Sequence, residues 1–183
     1  MLIMFFYPIT DSLSLRPLSL ADVDELFALT DANRAYLRQW LPWLDTVKSA
    51  EDTRHFIQSF LRQWAEDQGF GAAICHHGAI AGIIGYNHLD GVNHIGTIGY
   101  WLGEAYQGQG LMTAACRALV NYGFTGLGLN RQVIGCATEN HRSRRIPERL
   151  GFRHEGTLRQ AEWLYDRYVD HHLYGCLKQD WQP

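Results

Sequence analysis

The chain has 183 residues, 46% hydrophobic and 13% aromatic, which is enough for one complete core and too little for two ordinary domains. Its 16 Lys and Arg against 19 Asp and Glu leave a formal charge of -3, so no basic bias marks it for nucleic acid or an anionic membrane. Cys75, Cys116, Cys136 and Cys176 lie 41, 20 and 40 residues apart, without the close pairing of a metal site or the density of a disulfide scaffold, and read as small buried hydrophobes.

The apolar start, Met1–Tyr7, ends at Pro8. It lacks a basic leading segment and falls well short of the roughly 20 residues a membrane helix needs, so the expected location is the cytoplasm. Leu13–Pro17 alternates like a first strand. From Ala21 to Trp43 the period turns helical, with one stripe at Val23, Leu26, Phe27 and Leu29 and another at Tyr36, Leu37, Trp40 and Leu41. The break falls near Thr30–Asn33, and Pro42 is expected to stop the second helix. A third helix is expected from about Glu51 to Asp67. Phe70–Cys75 and Ala79–Tyr86 then read as two strands around a tight turn, Asn87–Asn93 as a second turn, and His94–Leu102 as a strand. A helix follows from Gly110 to about Phe124, then a strand at Arg131–Ala137 and a short helix from about Ser143 to Leu150 closed by Gly151. The remainder reads as closing strands. The strand–helix–strand unit from 94 to 137 after hairpin-like runs predicts a mixed sheet in one α/β domain spanning 1–183.

The most informative stretch is Gln107-Gly108-Gln109-Gly110-Leu111-Met112, which stands between a strand and a strong helix. Glycine allows unusual φ values and close ligand approach, and the first amides of a helix lack internal partners and favour an anion. A phosphate placed there would collect backbone hydrogen bonds without a lysine; an ordinary strand-to-helix turn is the plainer reading. A Walker loop is excluded because Leu-Met-Thr follows Gly110, and a dinucleotide fingerprint because position 113 is Thr113 and three helices precede the unit.

Several ordered motifs accompany this loop: Leu15-Arg16-Pro17, Trp40-Leu41-Pro42-Trp43, Ile98-Gly99-Tyr100-Trp101, Asn140-His141-Arg142-Ser143 and Leu150-Gly151-Phe152. Together they resemble the GNAT-type N-acetyltransferases over nearly the whole chain, more narrowly the RimJ/RimL branch acting on ribosomal-protein N-termini. The resemblance implies a three-layer fold, with helices on both faces of a splayed mixed sheet, and acetyl-CoA as cosubstrate, its pantetheine arm lying between the strands of Tyr100 and Val133. It implies cofactor contacts from Tyr100, Trp101, Leu102, Gln107, Gly108, Gln109, Gly110, Leu111, Met112, Asn140 and Ser143. Met112 departs from the family's small residue at that position and is expected to narrow the helix entrance. It further implies an acceptor cleft at Trp40, Trp43 and Trp101, a leaving-group hydroxyl at Ser143, and a general base at Glu162. Asn140 and Ser143 also suit a plain helix cap, and Arg142, Arg144 and Arg145 suit either the 3′-phosphate of coenzyme A or an exposed helix face. For Glu162, partial burial among Trp163, Tyr165 and Tyr168 is the expected way to strengthen a weak carboxylate base, a surface pairing with Arg159 being the alternative.

Nine histidines do not make a metal site: the adjacent pairs His76-His77 and His171-His172 point to opposite faces of a strand, and no metal is expected. Six tryptophans without a basic groove argue against single-stranded nucleic acid. Three functions follow from the resemblance: acetylation of a protein N-terminal amine by direct transfer, the same chemistry on a small amine (polyamine, amino acid or aminoglycoside), or non-catalytic acyl-CoA binding. The branch also implies a homodimer.

Overall fold

The computed structural model describes residues 6–183, so residues 1–5 of the apolar start lie outside the described residues. Its strands are β1 (Tyr7–Pro8), β2 (Leu13–Pro17), β3 (Phe70–His76), β4 (Ala79–Asp90), β5 (Ile95–Leu102), β6 (Arg131–Ala137), β7 (Arg153–Leu164) and β8 (Arg167–Leu177). Its helices are α1 (Val23–Ala32), α2 (Arg34–Leu37), α3 (Ala50–Ala65), α4 (Leu111–Thr125) and α5 (His141–Arg149). The strands form one sheet in the order β1-β2-β3-β4-β5-β6-β8-β7. Neighbours run antiparallel except β5 and β6, which are parallel and joined through α4.

The sheet is covered on both faces, which is why β3 and the first part of β4 are continuous apolar runs. On one face Val23 and Leu26 of α1 and Ile57 of α3 pack against Ala73, Cys75, Ile80 and Ile83. On the other, Leu111, Ala115, Cys116 and Leu119 of α4 pack against Ile74, Ile84, Ile98 and Ile134. α3 starts at a reciprocal cap: the Ser49 hydroxyl accepts from the Asp52 amide at 3.3 Å, and the Asp52 carboxylate accepts from the Ser49 amide at 2.9 Å.

A buried polar network fixes α4 on the sheet. Gln132 is fully buried on β6; its amide donates to the Val120 carbonyl at 2.8 Å, and its oxygen accepts from the Tyr86 hydroxyl at 2.5 Å. Every polar atom of that glutamine side chain therefore has a partner, as a dry interior requires. The helix whose first turn opens the functional groove is held in register by side chains at its other end.

Three sequence expectations need correction. The second helix ends at Leu37 rather than at Pro42, followed by turns in which Trp40 and Leu41 bond back to the Leu37 carbonyl. β4 continues beyond Tyr86 to Asp90 because a bulge between Tyr86 and His88 absorbs the polar residues that read as a turn. α5 begins at His141, two residues earlier than expected. Among the described residues, no helix is long and apolar enough to cross a membrane.

Candidate active site

Pairing between β5 and β6 runs from Ile95 opposite Arg131 to Ile98 opposite Ile134 and stops there, although β5 continues to Leu102 and β6 to Ala137. The strands diverge into a fork. Across it, the backbone of Gly99–Leu102 and that of Gly135–Ala137 have no ladder partner in each other. Backbone donors and acceptors require partners, so the fork suits an extended ligand that brings amides of its own. The first residues past the last pair are glycines on both strands. A Cβ on Gly99 would fall 2.3 Å from the side-chain nitrogen of Asn87, whereas one on Gly135 would meet, among the described residues, His171 Nδ1 alone, at 3.8 Å. The opening thus begins at Gly99 and Gly135, between the two strands that hold Tyr100 and Val133, with Val133 itself in the paired region opposite Thr97.

A groove of about 560 Å³ leads to this fork. Tyr36, Trp40 and Leu41 wall it on one side, Tyr100, Trp101 and Leu102 at the end of β5, Gln107, Gly108, Gly110, Leu111 and Met112 along the loop, and Asn140, Arg142, Ser143 and Arg145 from α5. Gly108 and Gly110 have φ of 73° and 77°, the left-handed region that glycine enters without strain. The first intrahelical bond of α4 runs from the Ala114 amide to the Gly110 carbonyl, so the amides of residues 111–113 are free for a ligand at the positive end of a 15-residue helix. Gln109 is not in the wall; its side chain donates to the Ala105 carbonyl at 3.0 Å. Met112 belongs to the wall, but at 7% exposure it also packs into the core, which accounts for how the sequence tolerates it there.

At the opposite wall Asn140 is the N-cap of α5, its side-chain oxygen accepting from the Ser143 amide at 3.1 Å. The Ser143 hydroxyl lies 3.3 Å from that of Tyr100, which in turn donates to the Ser143 carbonyl at 3.2 Å. Burial holds the Tyr100 phenol well above the ordinary tyrosine range, so it stays neutral and able to donate. The three arginines separate. Arg142 reaches across to the Gln107 side chain at 2.5 Å and Arg145 lines the groove, but Arg144 turns inward to the Thr138 carbonyl and the Glu148 carboxylate. Arg149, which the sequence did not single out, joins the groove wall.

On the α1/α3 face of the sheet, Trp101 packs against Trp43, which stacks on Phe56, with ring centroids 6.2 Å apart in both pairs. Trp40 reaches the groove; Trp43 supports Trp101 from behind. Glu162 is not in the groove wall but stands on the β8 side of the fork, its carboxylate 3.3 Å from His171 Nε2. The aromatic enclosure expected around it is absent. Glu162 is opposite Val169, whereas Trp163 is opposite Tyr168, and because alternate residues face opposite ways those two rings pair with each other at 52% and 59% exposure. Tyr165, in the β7–β8 turn, instead donates to the Leu41 carbonyl at 2.6 Å while the Arg38 guanidinium lies 3.8 Å from the centre of its ring. The partner of Glu162 is His171, not Arg159. Sequence reasoning missed His171 because its closeness to Glu162 depends on strand register, which no local pattern carries.

All four cysteines are buried and unbridged. Burial pushes the thiols of Cys116 and Cys136 up to about 12 and about 11, although Cys136 lies near Arg144 and Ser143. Neither has the positive, accessible setting of a nucleophilic cysteine.

A family model described as an acetyltransferase (GNAT) domain matches residues 12–153. The ribosomal-protein-serine acetyltransferase of Escherichia coli (strain K12) is 35% identical over 166 residues, 91% of this chain and 93% of its own. The structure of RimL, the ribosomal L7/L12 alpha-N-protein acetyltransferase, in a disulfide-linked complex with coenzyme A, superposes with a TM-score of 0.91 at 31% identity over 94% of this chain and 97% of that one. The microcin C7 self-immunity acetyltransferase MccE, in complex with acetyl-CoA and AMP, gives 0.88 at 29% identity over 92% and 94%. With its splayed mixed sheet, helix-capped groove and likeness along nearly its full length, the chain belongs to the GNAT acetyltransferase family, in the RimL/RimJ-like branch.

Proposed function

We propose that this enzyme transfers acetyl from acetyl-CoA directly to a protein N-terminal α-amine, with a ribosomal protein as the acceptor class. The observation that carries the reading is the fork. It connects a groove ending in free helix amides to a sheet face where a carboxylate stands ready for an incoming amine. The amides of residues 111–113 and the glycines before them fit a pyrophosphate, and the open edges of Gly99–Leu102 and Gly135–Ala137 fit the amide-bearing arm that follows it. Arg142, Arg145 and Arg149 give the groove the positive charge that the chain as a whole lacks.

In this scheme an N-terminal amine arrives mostly protonated. Glu162 takes a proton from it, the nitrogen lone pair adds to the thioester carbonyl, and the carbon–sulfur bond breaks as Ser143 supplies a proton to the leaving thiolate; the serine hydroxyl is restored by the second proton, which the nitrogen sheds on becoming an amide. The Tyr100 hydroxyl, already bonded to Ser143, holds that serine in place. A ribosomal acceptor would place the enzyme in the cytoplasm. The test is turnover of acetyl-CoA with a mixed library of N-terminal peptides and small amines, read by mass spectrometry. The expected product is a peptide acetylated at its α-amine; acetylation confined to small amines would replace the acceptor, and cofactor binding without turnover would end the catalytic reading.

Direct transfer has its own check. With thiols at about 12 and about 11, only about 10⁻⁴ or less of Cys116 or Cys136 is thiolate at pH 7. Because burial raises these values, reactivity should be negligible near neutrality and grow only as the pH climbs toward 11. Intact mass spectrometry of enzyme given acetyl-CoA without acceptor should therefore show no added acetyl group on cysteine. An acetyl-cysteine species that an amine then chases off would overturn direct attack.

A further inference from the structure

We propose that His171 is a positioning residue for the acetyl transfer, fixing the Glu162 carboxylate at the mouth of the fork; this rests on the reading of Glu162 as general base. Register puts the two side chains together. Leu158 is opposite His171 and Glu162 opposite Val169, so β7 spends four residues where β8 spends two. The excess is taken up in a bulge in which Gln160 adopts φ of 48° and its amide bonds to the Asp170 carboxylate at 2.7 Å. An insertion of two residues preserves facing. Glu162 consequently shares a sheet face with Val169 and His171, one step along the strand from the histidine.

That face also carries the glycines at which the fork begins. His171 is opposite Ala137, and Gly135 is opposite Leu173, so His171, Ala137 and Gly135 look the same way as Gly99 and Trp101 across the gap. Gly135 presents no side chain, and among the described residues, chain neighbours aside, the one atom within 4 Å of the position its Cβ would take is Nδ1 of His171. The imidazole therefore spans from the rim of the fork to the carboxylate: one nitrogen borders the opening, and the other lies 3.3 Å from Glu162 Oε2. With Nε2 protonated, the ring donates to Oε2 and leaves Oε1 to face an amine. The remaining neighbours on β6 and β8, Gly135, Ala137, Val169 and Leu173, carry no charge, and Asp170 is committed to the Gln160 amide. Both partners are only partly exposed, 23% for the His171 side chain and 29% for that of Glu162. A carboxylate on a bulged edge strand has no rigid support of its own, and small displacements of a reacting group are costly in rate.

The experiment measures kcat, KM and acetyl-CoA affinity for His171→Leu, His171→Asn and His171→Gln, and for His171→Leu combined with Glu162→Gln. Glutamine places an amide donor near the position of Nε2; asparagine reaches only as far as Nδ1. Expected are a fall in kcat of about tenfold or more for Leu and Asn, substantial recovery with Gln, unchanged acetyl-CoA affinity, and no further loss when Leu is added to Glu162→Gln. If Glu162→Gln abolishes turnover while His171→Leu keeps full kcat, or if the two losses simply multiply, the positioning role is wrong and the base stands. If Glu162→Gln itself keeps full kcat, the base reading falls and the positioning role with it. Loss of cofactor affinity in every His171 variant would make the histidine structural, which also overturns the proposal.

Discussion

Glu162→Gln is expected to lower kcat by about 10² or more and to leave acetyl-CoA affinity unchanged. The substitution keeps the size and an oxygen that can accept from His171, and it removes the one property the mechanism needs, a carboxylate able to take a proton. Affinity should survive because Glu162 is absent from the groove wall and stands on the β8 side of the fork. Ser143→Ala makes the useful contrast: it should also lower kcat, by weakening departure of the thiolate, while the Glu162 carboxylate stays in place. Near-full kcat in Glu162→Gln, using a verified acceptor, would remove Glu162 from the chemistry.

Gly110→Val should weaken acetyl-CoA binding at least tenfold, for a reason that differs from simple crowding within the protein. Among the described residues, chain neighbours aside, no atom lies within 4 Å of the position a Cβ would occupy at Gly110, and the new side chain would border the groove that Gly110 lines. There it would stand before the free amides of residues 111–113, where a pyrophosphate must approach the backbone. The left-handed conformation adds a second penalty, about 1–2 kcal/mol for a residue with a Cβ and more for a branched one. Relief of that strain would turn the loop and misdirect the amides as well. Calorimetric titration of the folded variant checks this, and wild-type affinity would mean that the phosphates lie elsewhere.

The parts of the molecule legible in the sequence were those set by local chemistry. The sequence pattern marks Arg131–Ala137 with its observed limits, and the helix after Gly110 to within a residue at either end, because a buried strand and an amphipathic helix carry their own periods. The Gln107–Met112 loop was legible through its glycines, and the structure gathers it with Tyr100, Trp101, Asn140 and Ser143 around one groove. What escaped was set by register and bulges. The continuation of β4 through Asn87 to Asp90 was hidden because a bulge interrupts alternation just where polar residues begin. The surroundings of Glu162 are hidden from the sequence for a related reason: Trp163 on the edge strand β7 and Tyr168 at the start of β8 look toward solvent, and the true neighbour comes from farther along β8.

The end of pairing at Ile98 and Ile134 means that the sheet, taken alone, is short of part of a strand. A cosubstrate whose amides bridge the gap would complete it, binding the folded chain and not the unfolded one, and so would lend stability in proportion to RT ln(1 + [L]/Kd). Heat resistance and survival against proteases would then rise and fall with the supply of acyl donor. The parts that gain partners from the bound donor would be the two arms of the fork, Gly99–Leu102 and Gly135–Ala137, each of which is paired on its other side only. In such a protein the nutritional state of the cell is read as lifetime as well as rate.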